Sequence, residues 1–132
     1  MKLTEALKRN REFRRVYDKG QSAASRCMIV YCRRNGRDNP RNPGRAAGAP
    51  NRLGITVSAK LGGAVLRNRL RRRLRETYRL GEGALRRGFD IVIVARAPAE
   101  DTPFDELGAE FRRLCLKLGI RPAAESGEGK RR

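Results

Sequence analysis

The chain of 132 residues contains no histidine and no tryptophan, three cysteines, and only seven aromatics, four Phe and three Tyr. Without histidine there is no Ser-His-Asp triad, no histidine acid–base pair and no histidine metal ligand. Apolar runs are short, and none approaches the roughly 18 residues of a membrane span. The opening Met1-Lys2-Leu3-Thr4-Glu5 lacks the apolar core of a secretory signal. An odd number of cysteines without framework spacing suits a reducing cytoplasm, which is the expected location. Acid is scarce too. Fourteen Asp and Glu face 32 Lys and Arg, a net charge of +18 with nothing to adjust it near neutral pH.

Six of the 32 cations are Lys, so 26 are Arg. The planar, bidentate guanidinium suits phosphate recognition better than a generic solubilising charge does. A polyanion is the expected partner, with nucleic acid ahead of a membrane surface. The length fits a single domain over residues 1–120. Within it, residues 35–51 read as a flexible loop insertion, because ten of those 17 are Gly, Pro or Asn. Residues 121–132 form a low-complexity polar tail expected to be disordered.

Periodicity places the elements. Asn10 to Asp18 reads as a helix capped by Asn10, with Phe13, Val16 and Tyr17 on one face and Gly20 beyond its end. Thr4 to Lys8 leaves open whether another helical turn precedes it. Arg26 to Arg33 is a strand with Cys27, Ile29 and Tyr31 on one face and Met28, Val30 and Cys32 on the other. Leu53 to Ser58 alternates as a second strand, and antiparallel pairing of the two across the loop is the simplest arrangement. A helix from about Val65 to Leu80 follows. Phe89 to Ala95, apolar on both faces after Asp90, reads as an interior strand. The last helix opens at Thr102-Pro103, with Thr102 as cap and Leu107, Phe111, Leu114, Cys115 and Leu118 as its apolar stripe. Together they make a small α+β sandwich.

Two stretches carry chemistry. In the helix from Val65, residues Leu66, Leu70, Leu74, Thr77 and Tyr78 form the anchoring stripe. Asn68, Arg71, Arg72, Arg75 and Arg79 occupy an adjacent arc, Arg67 borders it, and Arg69 and Arg73 point to the far side. Seven arginines with only Glu76 in opposition repel one another, a cost that a bound polyanion relieves. A solvated basic helix without a duty is the bland alternative. The second stretch is Phe13 and Tyr17 with Tyr31 on a strand, ringed by Arg9, Arg11, Arg14 and Arg15. Aromatics among cations can stack unpaired nucleotides, although Phe and Tyr at i,i+4 equally fit a core.

The run Arg67-Asn68-Arg69-Leu70-Arg71-Arg72-Arg73-Leu74-Arg75-Glu76 resembles the signature helix of the bacterial ribonuclease P protein family. Leu7 to Phe13 with Val16, Tyr17 and Gly20, then Leu53 to Ser58 and Phe89 to Arg96, match the same family in the same order, covering Leu7 to about Gly119. The resemblance implies a single-domain α-β-β-β-α-β-α sandwich on a small mixed sheet with a left-handed βαβ crossover. That is one strand more than periodicity shows, and Gln21 to Arg34 is one place for it. It implies a protein subunit that assists endonucleolytic removal of the 5′ leader from precursor tRNA. The cutting is done by an RNA subunit with Mg2+, and no cofactor is assigned to the protein. It assigns Arg67, Asn68, Arg69, Arg71, Arg72 and Arg75 to the catalytic RNA, and Phe13, Tyr17 and Tyr31 to the single-stranded leader. The implied partners are ribonuclease P RNA, at one protein per RNA, and precursor tRNA, with no membrane. The family's strand-to-helix turn differs at Ala59 and Gly63, so no contact is assigned there.

The competing class is a structural RNA-binding protein, ribosomal or chaperone-like, which accounts for the charge but does not need an aromatic cleft. A self-contained nuclease would need clustered carboxylates. Asp90, Asp101 and Asp105 come nearest to a set, and Glu128-Gly129-Lys130 lies in the tail with no strand to hold it. Cys27 and Cys32, read on opposite faces of one strand, cannot share a metal, and Cys115 reads as core.

Overall fold

The computed structural model describes residues 4–35 and 50–122. The sheet consists of β1 (Thr4–Ala6), β2 (Gln21–Ala24), β3 (Met28–Arg34), β4 (Asn51–Thr56) and β5 (Phe89–Ala95). The helices are α1 (Asn10–Lys19), α2 (Ala64–Gly81) and α3 (Phe104–Leu118), with short 3-10 turns at Ala59–Leu61, Glu82–Ala84 and Ala97–Glu100. The strands lie in the order β1-β4-β5-β3-β2. Most of the proposed loop and tail lie outside the described residues.

The apolar run from Ile91 to Ile93 explains this order. A strand apolar on both faces is stable only with strands on both sides and helices above and below. β5 accordingly pairs antiparallel with β3 and parallel with β4, and Ile91, Val92 and Ile93 are fully buried. This corrects the direct pairing of the two earlier strands, since β5 lies between them. Register then assigns the faces. Leu53, Ile91 and Cys32 align on one side, as do Ile55, Ile93 and Val30, while Gly54, Val92 and Tyr31 align on the other.

Two helices cover the first face. α2 buries Leu70, Leu74, Thr77 and Tyr78, and α3 buries Leu107, Phe111, Leu114 and Cys115. Each large side chain so removed from water stabilises the fold by about 1.5–3 kcal/mol. The Tyr78 and Phe111 rings meet at 5.9 Å, and burial pushes the Tyr78 hydroxyl up to about 12. α1 covers the second face through Val16, which is fully buried with Leu7 and Val92.

Several local expectations change. Thr4–Ala6 is a strand, not a helical turn, and pairs parallel with β4. Gln21–Ala24 is the additional strand implied by the resemblance, antiparallel to β3. β4 starts at Asn51, two residues earlier than alternation suggests. There the buried Asn51 amide donates to the Arg86 carbonyl at 2.8 Å and accepts the Phe89 N–H at 2.8 Å. Asn10 is the first residue of α1 and does not cap it. Thr102 does not cap α3 either. Its hydroxyl donates to the Pro98 carbonyl at 2.7 Å, and Pro103 takes the cap position. Cys27 precedes β3 after a bend at residues 26–27 and shares one core with Cys32 and Cys115, so the opposite-face assignment of Cys27 and Cys32 does not hold. Burial pushes the Cys27 thiol up, and its sulfur lies 3.0 Å from Thr102 Oγ1.

The glycine at position 54 is set by contact with α1. A Cβ on Gly54 would lie 2.4 Å from Phe13 Cε2 and Cζ, because α1 sets the Phe13 ring directly on β4. Gly54→Ala is expected to lower stability by about 1–3 kcal/mol through this overpacking. Urea unfolding measures it, and an unchanged midpoint would mean that the ring is not seated on this glycine.

Candidate nucleic-acid interface

The site begins with a clamp that the sequence-based reading overlooked. Arg52 on β4 faces α1, and its Nε and Nη2 donate to the two Asp90 carboxylate oxygens, each at 2.8 Å. Its remaining Nη1 donates to Glu12 Oε2 at 2.8 Å. The other Glu12 oxygen accepts the backbone N–H groups of Lys8 and Arg9, both at 3.2 Å. One guanidinium thus ties the first turn of α1 to two neighbouring strands. Asp90, only 3% exposed, is engaged at both oxygens, so it joins no carboxylate set with Asp101 and Asp105. The Lys8 and Arg9 amides, with Arg52 beside them, hold the Glu12 carboxyl below its usual range.

Held this way, α1 leans over β4 and leaves an open cleft of about 460 Å³. Phe13, Arg14, Tyr17 and Asn10 form one wall, and Ile55, Thr56 and Val57 the other. Phe13 and Tyr17 are half-buried: each rests on the sheet and also borders the cleft. Core and platform are therefore not exclusive here. The Tyr17 and Thr56 hydroxyls share a hydrogen bond of 2.7 Å. Tyr31 packs edge-on against Tyr17 at 4.9 Å, with 78° between the planes, and supports it from behind.

The last wall comes from α2. Arg71 borders the cleft, and its Nη1 donates to Asn68 Oδ1 at 3.1 Å. The basic helix and the aromatic patch, separate in the sequence, therefore meet at this side chain. Arg67 Nε donates to the Gly62 carbonyl at 3.1 Å. At φ 153°, Gly62 turns the chain into α2, where a Cβ would lie 2.3 Å from Leu66. Arg69 pairs with Glu100 at 3.6 Å, and Arg73 donates to the Thr102 carbonyl, so both serve the far side of the helix. Arg79 pairs with Glu76. The Arg72 and Arg75 side chains are exposed and have no partner among the described residues. They are the two arginines of α2 without a partner among the described residues.

Asn10, Thr56 and the cleft-facing role of Arg71 were not legible as site features. Strand alternation does put Thr56 on the face of Gly54, two residues along, but only the packing of α1 shows that this face matters.

A basic α+β domain that joins an arginine-rich helix to an aromatic cleft defines a nucleic-acid-binding protein. A model of the ribonuclease P family matches residues 1–119. The ribonuclease P protein component of Alkaliphilus metalliredigens is 35% identical over 120 residues, which cover 91% of this chain and 98% of that protein. The component from Symbiobacterium thermophilum is 38% identical over 120 residues, with 91% and 96% covered. Among solved structures, the Staphylococcus aureus RNase P protein superposes with a TM-score of 0.70 at 32% identity, covering 89% of this chain and 97% of that one. The Thermotoga maritima RNase P protein gives 0.68 at 30% identity, covering 89% and 99%. The chain belongs to the ribonuclease P protein family.

The clamp is tested through its acid. Because Glu12 has a folded-state pKa below its unfolded value of about 4.3, its contribution to stability is complete above that pH. It is lost as pH falls through the lowered value. Glu12→Gln is therefore expected to be less stable than the parent at pH 7, with a smaller gap at pH 3. Urea unfolding at both pH values measures this, and a gap independent of pH would remove Glu12 from the clamp.

Proposed function

We propose that this protein assists 5′-leader removal from precursor tRNA by gripping the catalytic RNA with α2 and holding the unpaired leader in the aromatic cleft. Family membership makes the chain part of an endoribonuclease complex with ribonuclease P RNA. The observation that carries the finer reading is the cleft itself: half-buried Phe13 and Tyr17 rings beside Arg71 of the arginine helix. Rings stack bases of any sequence and guanidinium groups hold the phosphates, the combination that single strands need. A purely structural RNA binder has no use for it.

In this reading Arg72 and Arg75 contact phosphates of the folded RNA, with Arg67 and Asn68 beside them, whereas Arg69, which the resemblance assigns to the same RNA, pairs with Glu100 on the far side of the helix. Arg71 stands where the two ligands meet. Tyr31 acts through Tyr17. The bond is cut by the RNA subunit with Mg2+ that the RNA binds, and the polypeptide lends position and charge. The complex works in the cytoplasm at one protein per RNA. No described helix is long and apolar enough to cross a membrane.

Reconstitution tests the reading. The protein alone should leave precursor tRNA uncut and should promote its cleavage when added to ribonuclease P RNA at modest Mg2+. Absence of stimulation would favour a structural role. Arg72→Ala with Arg75→Ala should weaken binding to the RNA subunit and reduce the log–log salt slope by about 2. Phe13→Ala should lower affinity for leader-bearing tRNA by about 5- to 150-fold, the worth of one stacked base, and spare mature tRNA. Equal losses for both tRNA forms would place the leader elsewhere.

A further inference from the structure

A second cavity, of about 470 Å³, opens between the C-terminal end of α2 and the start of α3. It lies on the sheet face opposite α1, and Leu80 is nine residues beyond Arg71, about 14 Å along the helix axis. Its lining is mainly apolar. Phe111 forms the floor, Phe104 is half-buried at the side, and Leu80 stands at the edge with 61% of its surface exposed.

Three lining positions are glycine: Gly81, Gly83 and Gly108. None has the positive φ that calls for glycine, and none is required by close packing. A Cβ on Gly83 would meet nothing within 4 Å, one on Gly81 would touch Phe111 at an ordinary 3.6 Å, and one on Gly108 would meet only the movable end of Arg112, at 3.3 Å. Gly108 also lies inside α3, where glycine is the poorest helix former after proline. Neither backbone nor packing explains these residues; the open space they leave does.

The rim shows what could fill that space. Arg112 and Arg121 border the cavity against a single carboxylate, Asp105, on a chain that carries +18. A pocket with aromatic walls and a cationic rim fits a flat, apolar ring attached to phosphates. We propose that this cavity receives one unpaired base of the RNA subunit, stacked against Phe104, with its flanking phosphates on Arg112 and Arg121. The inference rests on the ribonucleoprotein reading above and adds a contact on the side away from the cleft.

Filling the cavity tests it in the reconstituted holoenzyme. Gly108→Leu should bind the RNA subunit about tenfold more weakly, the scale of losing one stacked base, while its preference for leader-bearing over mature tRNA stays as in the parent. Gly108→Ala, too small to block the cavity, should bind normally and unfold at the same or a higher temperature. Arg112→Ala with Arg121→Ala, which shortens two rim side chains and leaves the buried residues unchanged, should reproduce the weakening and serves if Gly108→Leu does not fold. RNA substituted with 4-thiouridine should crosslink to the segment Phe104 to Arg112. Full RNA affinity in both the folded Gly108→Leu protein and the double variant overturns the proposal and leaves an acidic peptide as the better occupant. If the parent protein binds no ribonuclease P RNA, the ribonucleoprotein reading itself fails.

Discussion

The Arg52 guanidinium is the joint on which the cleft depends. α1 is short and buries one side chain fully, Val16, with Phe13 and Tyr17 half-buried beside it on the sheet. Arg52 supplies the orientation by engaging Asp90 with two parallel hydrogen bonds and Glu12 with a third. Hydrogen bonds to charged groups contribute about 1.5–3 kcal/mol each. Removing one partner of a buried pair costs more, about 3–5 kcal/mol, because the other is left charged and alone. In a chain with few acids, two of them are spent on this one cation. The outcome is geometric: the Phe13 ring lands on Gly54, and Tyr17 reaches Thr56.

The same scarcity of acid shapes α2. Its seven arginines are not one undivided charged face. Arg69, Arg73 and Arg79 have protein acceptors, and Arg67 and Arg71 bond to Gly62 and Asn68. What remains is narrow, Arg72 and Arg75 on an exposed arc with Arg71 turned toward the cleft. Repulsion between like charges at i,i+4 costs only tenths of a kcal/mol per pair, and the stripe from Leu70 to Tyr78 outweighs it by burying four side chains. The helix therefore folds onto the sheet with Arg72 and Arg75 left without a protein partner among the described residues.

Much of this was legible in the sequence. α2, β5 and α3 lie within a residue or two of their expected positions, because 3.6-residue stripes and a doubly apolar run are strong local signals. The family's signature residues identified the family. The misses share a cause. β1 is three residues long and exists because β4 offers it an edge, so no periodicity could reveal it. The pairing of β3 and β4 with β5 between them is a tertiary choice, as is the bend that turns Cys27 inward. Arg52 looked like one arginine among 26, and only the register of β4 on β5, which sets it opposite Asp90, separates it from the others.

That register also changes how the basic surface is understood. An arginine helix and an aromatic patch, taken separately, describe two binding sites with independent ligands. Joined at Arg71, they form one continuous surface, and under the proposed function a single strand in the cleft would run directly alongside the RNA on α2. Under the proposed function, such a surface would assist the reaction by fixing the angle and distance between substrate strand and RNA subunit, and so lowering the entropic cost of bringing them together. The accuracy of that placement depends on how rigidly α1 is set relative to α2. Both helices bear on β4, one through the Arg52 clamp and the other through its apolar stripe, so the strand between them works as the ruler.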